Sequence, residues 1–412
     1  MGIKDLPKTI KSTAGTKAVR QCKLEKLSGY TVAVDASLLI HKTVLAIRSN
    51  GQDLKNLDGE LTSHLNGIFF KTIVFLENNI TPVFVFDGTP PDIKNITTLK
   101  RKKIRDDANA KLSELSDSED EEYIKNFRKT FRPTEDNMQQ ARILLGLMGI
   151  PYIDAPEEAD PVCAWLAARR NSRGERYVKG VASDDSDMLP LGSPYLFKDM
   201  LGFIHKKPIT IISLRKTLIG MDMSMEMFVE LCVLSGTDCC ERIHGIGPKR
   251  AMTLLKKHKT LSNVLKFIKK DRKISSSNDE IRSAFREQSK NMMAAKEYFM
   301  TALDKLDLDD DFNIEESDLE MRKFKKKELI NFMCDKHGFD RNRIMSSINK
   351  LESIAEKMNI TRTNTTPYEF VDGTNSLEIL SNEDVSFLED SESSEIVSKY
   401  TKKTRMIKKK NK

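Results

Sequence analysis

Val32-Ala33-Val34-Asp35 is a short apolar run that ends on a carboxylate. The pattern recurs in Val83-Phe84-Val85-Phe86-Asp87 and in Pro151-Tyr152-Ile153-Asp154, which leads on to Glu158 and Asp160. It recurs again in Gly180-Val181-Ala182-Ser183, which leads to Asp185 and Asp187. These segments are rich in branched or aromatic residues and lack alternation, so they read as buried strands of a parallel sheet. A fifth apolar segment, Leu231-Cys232-Val233-Leu234-Ser235-Gly236-Thr237-Asp238, ends the same way. In open α/β sheets ligands bind outside the carboxyl ends of the strands, so these acids are expected to converge. Clustered carboxylates resist ionising beside one another. Such a cluster needs cations, and hard divalent ions with oxygen ligands suit it best. One Asp after a strand is well explained as the start of a turn; five such exits in one chain are not.

The composition sets the frame. A chain of 412 residues, 39% hydrophobic and 31% charged, can bury a large core and carry polar extras. Lys+Arg at 68 against Asp+Glu at 61 leaves a net charge of +7, a weak pointer to a polyanion that local clustering must sharpen. Cys22, Cys163, Cys232, Cys239, Cys240 and Cys334 form no CxxC pair, which argues against a zinc ribbon or a disulfide framework and for a reducing compartment. No apolar run has the length of a membrane span, and the N-terminus lacks a signal-peptide core, so no membrane association is expected. Leu6 stands where a myristoylation signal needs Ser or Thr. The six histidines show no metal-ligand spacing.

Residues 1–107 read as α/β, with a helix over residues 65–76 between the first two strands. Residues 108–132 differ. They follow the basic stretch Leu99-Lys100-Arg101-Lys102-Lys103-Ile104-Arg105, contain the acidic Ser116-Asp117-Ser118-Glu119-Asp120-Glu121-Glu122, and offer few core residues. A mobile helical insertion is expected there. Residues 133–265 return to α/β, with a helix over residues 136–147, and turn helical from Ser224. Gly245 and Gly247, in Ile243-His244-Gly245-Ile246-Gly247-Pro248-Lys249-Arg250-Ala251, permit a tight turn before a helix N-terminus, a geometry that suits a backbone phosphate. Lys249, Arg250, Lys256, Lys257, His258 and Lys259 follow it, as a phosphate-tracking element requires. Residues 266–355 read as a helical C-terminal part of the core. Residues 356–412 read as a disordered tail, acidic and Ser-rich from Glu378 to Glu395 and basic from Lys402 to Lys410.

The order and spacing of several motifs carry a family resemblance over residues 1–350. They are Met1-Gly2-Ile3, Val34-Asp35-Ala36-Ser37, Phe86-Asp87-Gly88-Thr89-Pro90-Pro91, Met148-Gly149-Ile150-Pro151-Tyr152-Ile153-Asp154-Ala155-Pro156, Leu191-Gly192-Ser193-Pro194 and the glycine turn with its flanking Cys239-Cys240-Glu241-Arg242. On these the chain resembles the eukaryotic and archaeal flap endonucleases of the structure-specific 5′-nuclease superfamily. The resemblance implies a central, mostly parallel sheet flanked by helices, a helical arch at residues 108–132 and a helix-two-turn-helix element on duplex DNA. It implies two Mg²⁺ ions, replaceable by Mn²⁺, at Asp35, Asp87, Glu158, Asp160, Asp185, Asp187 and Asp238. It places Lys94 and Arg101 on the scissile phosphate, and Gly2, His41, Gly245, Gly247, Lys249 and Arg250 at the DNA. It assigns a monovalent cation, K⁺, to backbone carbonyls of Arg242, Ile243 and Ile246.

The implied activity is cleavage of 5′ flaps on branched double-stranded DNA, with 5′–3′ exonuclease activity, in replication and repair. The implied protein is a monomer in the nucleus, or in a viral replication compartment. A longer-range exonuclease, a four-way-junction resolvase and a non-catalytic branched-DNA scaffold are the alternatives. Compact length and the inserted arch favour the flap enzyme, and retention of all seven acids argues against a scaffold. The chain departs from the family in places. Asp160 replaces the usual Glu and precedes Pro161, His41 replaces an aromatic residue, and an acidic run occupies residues 117–122. The sliding-clamp motif is missing from the tail, since Phe387-Leu388 lacks the Gln and the second aromatic, so clamp binding is not supported.

Overall fold

Thr31–Asp35 (β2), Thr81–Phe86 (β3), Tyr152–Asp154 (β4) and Gly180–Ala182 (β5) are strands in the computed structural model, which describes residues 2–89, 91–115, 120–202, 207–274 and 278–364. With Val19–Cys22 (β1), Tyr195–Lys198 (β6) and Ile209–Ser213 (β7) they form a sheet of order β1-β7-β6-β5-β2-β3-β4. The run β6-β5-β2-β3-β4 is parallel, and β7 lies antiparallel to both β6 and β1. Val32, Ala33, Val34, Val83, Phe84, Val85, Phe86 and Val181 have no exposed surface, as strands covered on both faces require. The third predicted strand differs. β4 pairs only with β3, so it is an edge, and Tyr152 is exposed. Asp154 there turns to Arg142 at 2.7 Å rather than to the other acids.

The chain passes from β2 to β3 and β4 on one side, then jumps to β5 on the other side of β2. That reversal opens a crevice at the carboxyl ends of β2 and β5, where Asp35 and Asp185 leave the sheet. Helices flank the sheet: Leu6–Ala14 (α1), Ala36–Ile47 (α2), Ser63–Glu77 (α3), then a pair that pack on each other, Asn95–Glu114 (α4) and Glu121–Thr130 (α5). Glu135–Met148 (α6) begins on a Thr134–Asn137 capping box and ends on Gly149 at φ 69°, a conformation that favours glycine. Ala159–Ala168 (α7), Leu214–Met221 (α8) and Met225–Ser235 (α9) complete the nuclease layers. Pro248–His258 (α10), Leu261–Asp271 (α11) and the long Asp279–Leu308 (α12) follow. The helices expected over residues 65–76 and 136–147 are therefore α3 and α6.

The boundary expected at 107/108 falls inside α4, and the one at 265/266 falls inside α11. A helical insertion is expected from residue 108, and α4 already runs unbroken through the basic stretch before it. The described residues up to Met358 make one compact unit. The predicted tail, from residue 365 on, and Ser116–Glu119 of the acidic run lie outside the described residues.

Arg48 fastens the foot of α5. Its guanidinium pairs with both carboxylate oxygens of Asp53 at 2.8 and 2.9 Å and donates to Phe127 O and Thr130 Oγ1 at 3.0 Å. It also lies 4.2 Å from the Phe127 ring centroid. Buried, planar and fully bonded, it uses the geometry that distinguishes Arg from Lys.

Candidate active site

Each of the seven acids leaves a defined element. Asp35 ends β2 and caps α2, its Oδ1 accepting from Leu38 N–H at 2.8 Å. Asp87 follows β3 and accepts from Ala159 N–H at 2.9 Å, which ties it to the start of α7. Glu158 and Asp160 sit at that same start. Asp185 and Asp187 follow β5, and Asp185 Oδ1 accepts from Asp187 N–H at 2.9 Å. Asp238 follows α9, and its N–H reaches Asp187 Oδ2 at 3.5 Å. The turn and capping reading of these residues is thus correct locally, and the side chains still share one region.

Their electrostatics show that sharing. Burial, then the neighbouring Asp87 and Asp160, drive the Asp35 carboxyl well above the usual carboxylate range. Burial pushes Asp160 up to about 8, with Lys94 opposing and Asp185, Glu158 and Asp87 adding to it. Asp187 is raised by burial and by Asp185 and Asp238, and burial also raises Asp185 and Glu158. Asp187 Oδ1 is buried with no hydrogen-bond partner. An orphaned buried carboxylate oxygen among crowded acids is a site that wants a cation.

The donor set is all oxygen, which fits Mg²⁺ or Mn²⁺. Among the described residues no three acids already stand around one point as ligands of a single ion. Part of the needed charge comes from Lys94, whose ammonium pairs with Glu158 and lies 3.6 Å from Asp160. Burial lowers the Lys94 pKa, but Asp160 and Glu158 outweigh it and hold the ammonium charged. Arg101, two turns along α4, pairs with Asp238, and Thr97 Oγ1 donates to Asp238 O at 2.6 Å. Both cations therefore point at the acids, as their seven-residue spacing predicts.

Gly2 lies against the same cluster. Its φ is +74°, and a Cβ there would collide with Asp185 Oδ1 and Ser186 N, so glycine is required by sterics. His41 lies half-buried on α2, its ring 6.0 Å from that of Phe131 at the foot of α5. Burial, then Arg101, lowers its pKa.

The glycine turn borders a groove that none of the seven acids lines. Gly245 has φ +74°, and Gly247 caps α10 with Pro248 in its first turn. Gly247, Pro248, Lys249 and Arg250 line one side of a groove of about 570 Å³; Asp5 and, on α1, Lys8, Thr9 and Ser12 line the other. Of the carbonyls expected to hold a monovalent ion, Arg242 O accepts from Gln288 at 3.2 Å and Ile243 O from Ile246 N–H at 2.9 Å.

Two residues escaped the reading of the sequence. Tyr298 on α12 donates its hydroxyl to Glu158 Oε2 at 3.4 Å. Lys42 on α2 pairs with Asp184, next to Asp185. No local pattern marks either, because each partner lies about 140 residues away.

Comparison with known proteins agrees with this layout. The XPG N-terminal domain matches residues 1–108 and the XPG I-region residues 149–238. Flap endonuclease 1 of Phytophthora infestans is 36% identical over 359 residues, covering 85% of this chain and 88% of that protein. The Homo sapiens protein of the same name is 35% identical over 353 residues, 85% and 86% of the two chains. Among solved structures, flap endonuclease-1 from Methanococcus jannaschii superposes with a TM-score of 0.57 at 26% identity, over 82% of this chain and 97% of that one. The catalytic core of Rad2, solved in complex with DNA substrate, shares the fold with a TM-score of 0.58 at 23% identity, over 83% and 99%.

The fold and its acid-lined crevice define a nuclease, a phosphodiester hydrolase of the 5′-nuclease superfamily. Within that class the chain belongs to the flap endonuclease 1 family, whose members are metal-dependent.

Proposed function

We propose that this chain hydrolyses the DNA backbone at the base of a 5′ single-stranded flap, and trims 5′ ends, using two Mg²⁺ ions. The observation that carries the reading is the meeting of Lys94 and Arg101, from one end of α4, with acids at the start of α7 and after α9. Glu158, Asp160 and Asp185 would hold the ions directly, and Asp35, Asp87, Asp187 and Asp238 through water; Mn²⁺ would substitute. Bound there, the ions supply Lewis acidity and charge relief at the scissile phosphate.

The protein's own part is positioning. Lys94 and Arg101 turn from their acid partners to the phosphoryl oxygens, donors fixed before the reaction begins. Tyr298 orients Glu158 through its hydroxyl. His41, wedged against Phe131, offers a ring face to a base, and α4 with α5 takes the part of the arch. The turn at Gly245 and Gly247, with Lys249 and Arg250, grips duplex phosphates, which suits a substrate with both duplex and flap. The family membership supports a monomer working in the nucleus, or a viral replication compartment, on replication and repair intermediates. A sliding clamp is left out, since the residues that would bind it lack the motif.

Single-turnover cleavage of a 5′-flap substrate, with and without Mg²⁺, tests the proposal. Incision at the flap base that EDTA abolishes is expected. Cutting unaffected by EDTA, or equal cutting of unbranched duplex interior, would refute it.

A further inference from the structure

Asp184 lies between the end of β5 and Asp185, and it is not one of the seven acids. Its Oδ2 pairs with Lys42 Nζ of α2, its Oδ1 accepts from Asp199 N–H at 2.7 Å, and its carbonyl accepts from Lys198 Nζ of β6. A carboxylate with its own cation and its own N–H is not short of a metal ion. Asp185 is tied locally: its N–H donates to Ser183 Oγ at 3.0 Å, and its Oδ1 accepts from Asp187 N–H at 2.9 Å. Those bonds shape the turn; the links from it to α2 and β6 are made by Asp184. α2 matters because it begins on a site acid. Asp35 caps it at Leu38 N–H, 2.8 Å away, and Lys42 follows seven residues after Asp35, about two turns along one face. β2 and β5 are direct neighbours in the sheet. The Lys42–Asp184 pair is therefore a second bridge, beside the sheet, between the strand exit that carries Asp35 and the one that carries Asp185.

We propose that Lys42, with Lys198, is a positioning residue for the metal acids: the two clamp Asp184 so that Asp185 stands at a fixed spacing from Asp35. The inference rests on the metal reading of those acids. Mg²⁺ demands near-ideal geometry, so a loose spacing costs affinity. Groups outside the ligand set are what orient the ligands. The Lys42 and Asp184 side chains keep only 27% and 25% of their surface exposed, so salt screens the pair less than an open surface pair. Two readings of these lysines are opposed in sign. As charges alone they repel a cation bound nearby, and removing one strengthens metal binding. As positioning residues they serve that cation, and removing one weakens metal binding.

The test is Mn²⁺ binding to the full chain without DNA, read by electron paramagnetic resonance as loss of the free-ion signal. Lys42→Met keeps the stem and removes the charge. It is expected to bind Mn²⁺ about tenfold more weakly than wild type, the cost of losing a partner that orients a ligand. Lys42→Arg restores the charge and its donors, and is expected to stay within about threefold of wild type. A Lys42→Met chain that binds Mn²⁺ as tightly as wild type, or more tightly, overturns the proposal. It does so even if that chain melts at a lower temperature, since a purely structural strut would move the melting point alone. An arginine variant as weak as the methionine one assigns the loss to packing and overturns it too. Should Lys42→Met fail to fold, Lys198→Met, which frees the carbonyl of the same residue, is read against the same two signs. A wild type that takes up no Mn²⁺ breaks the metal reading of the acids and this inference with it. A wild type that binds while Lys42→Met binds no worse breaks this inference alone.

Discussion

The acid cluster and the glycine turn solve opposite problems with the same kinds of atoms. Around the crevice, carboxylates from three strand ends and two helices crowd together, most of them raised by burial, with one oxygen of Asp187 left unbonded. At the turn, five successive carbonyls are all supplied with donors from within the chain. The first region is unfinished without cations from outside; the second is braced as folded. Chemistry demands the unfinished one, since a site that moves charge must have charge to bind. Grip demands the braced one, because a preset backbone loses little freedom on meeting DNA.

The sharpest way to break the contrast is to remove one acid. Asp185→Asn is expected to abolish cleavage, by about 10³-fold or more, through loss of metal-dependent charge stabilisation. Affinity for flap DNA should survive, because phosphate contacts elsewhere dominate binding. Cleavage within tenfold of wild type would remove Asp185 from the site. Next come the cations. Lys94→Ala and Arg101→Ala should each slow single-turnover cleavage by roughly 10²-fold, the usual loss for one transition-state donor. A change in affinity alone would reduce either residue to electrostatic steering.

At the turn, Gly245→Val places a branched side chain at φ +74°. The conformation costs about 1–2 kcal/mol for an ordinary residue, so duplex affinity should fall by about tenfold, with a flatter salt dependence. Equal affinity across a salt titration would contradict the phosphate-tracking role.

The smallest effect is on stability and follows from protons. Asp160 is held up to about 8 in the folded chain against 3.8 for the free side chain. Folding therefore favours its protonated form: stability from this group is full below pH 4 and is lost as pH rises through about 8. Mg²⁺ competes with that proton, so it should raise the melting temperature by a few degrees at pH 8 and by less at pH 5.5. Calorimetry with and without Mg²⁺ checks this, and an equal shift at both values would dissociate the ion from these carboxylates.

Sequence carried Asp35 and Asp87 because each sits where a short apolar run stops, and Asp185, Asp187 and Asp238 because they follow one closely; Glu158 and Asp160 lie at the start of α7, past the run that ends on Asp154. Gly245 and Gly247 were legible too, because their backbone demands are local. Tyr298, Gln288 and Lys42 left no such trace, since each meets a partner through tertiary packing across 46 to 142 residues. The edge position of β4 was hidden for a related reason: three residues cannot reveal how many neighbours a strand will have. α4 was misjudged in extent because its stability does not come from an apolar face, so the periodicity that marks other helices is absent.

The arch pair α4–α5 stands on two unequal feet. One is Arg48, buried and bonded to Asp53, Phe127 and Thr130. The other is the set of ion pairs that Lys94 and Arg101 make with Glu158 and Asp238. A metal ion competes for the acids of the second foot, and a phosphate competes for its cations; neither competes for the first. On the proposed function, substrate entry would unfasten one leg while the other stays planted, with Arg48 as the pivot. Any load on the pair would then arrive at α2, the helix that carries His41 and ends at Arg48.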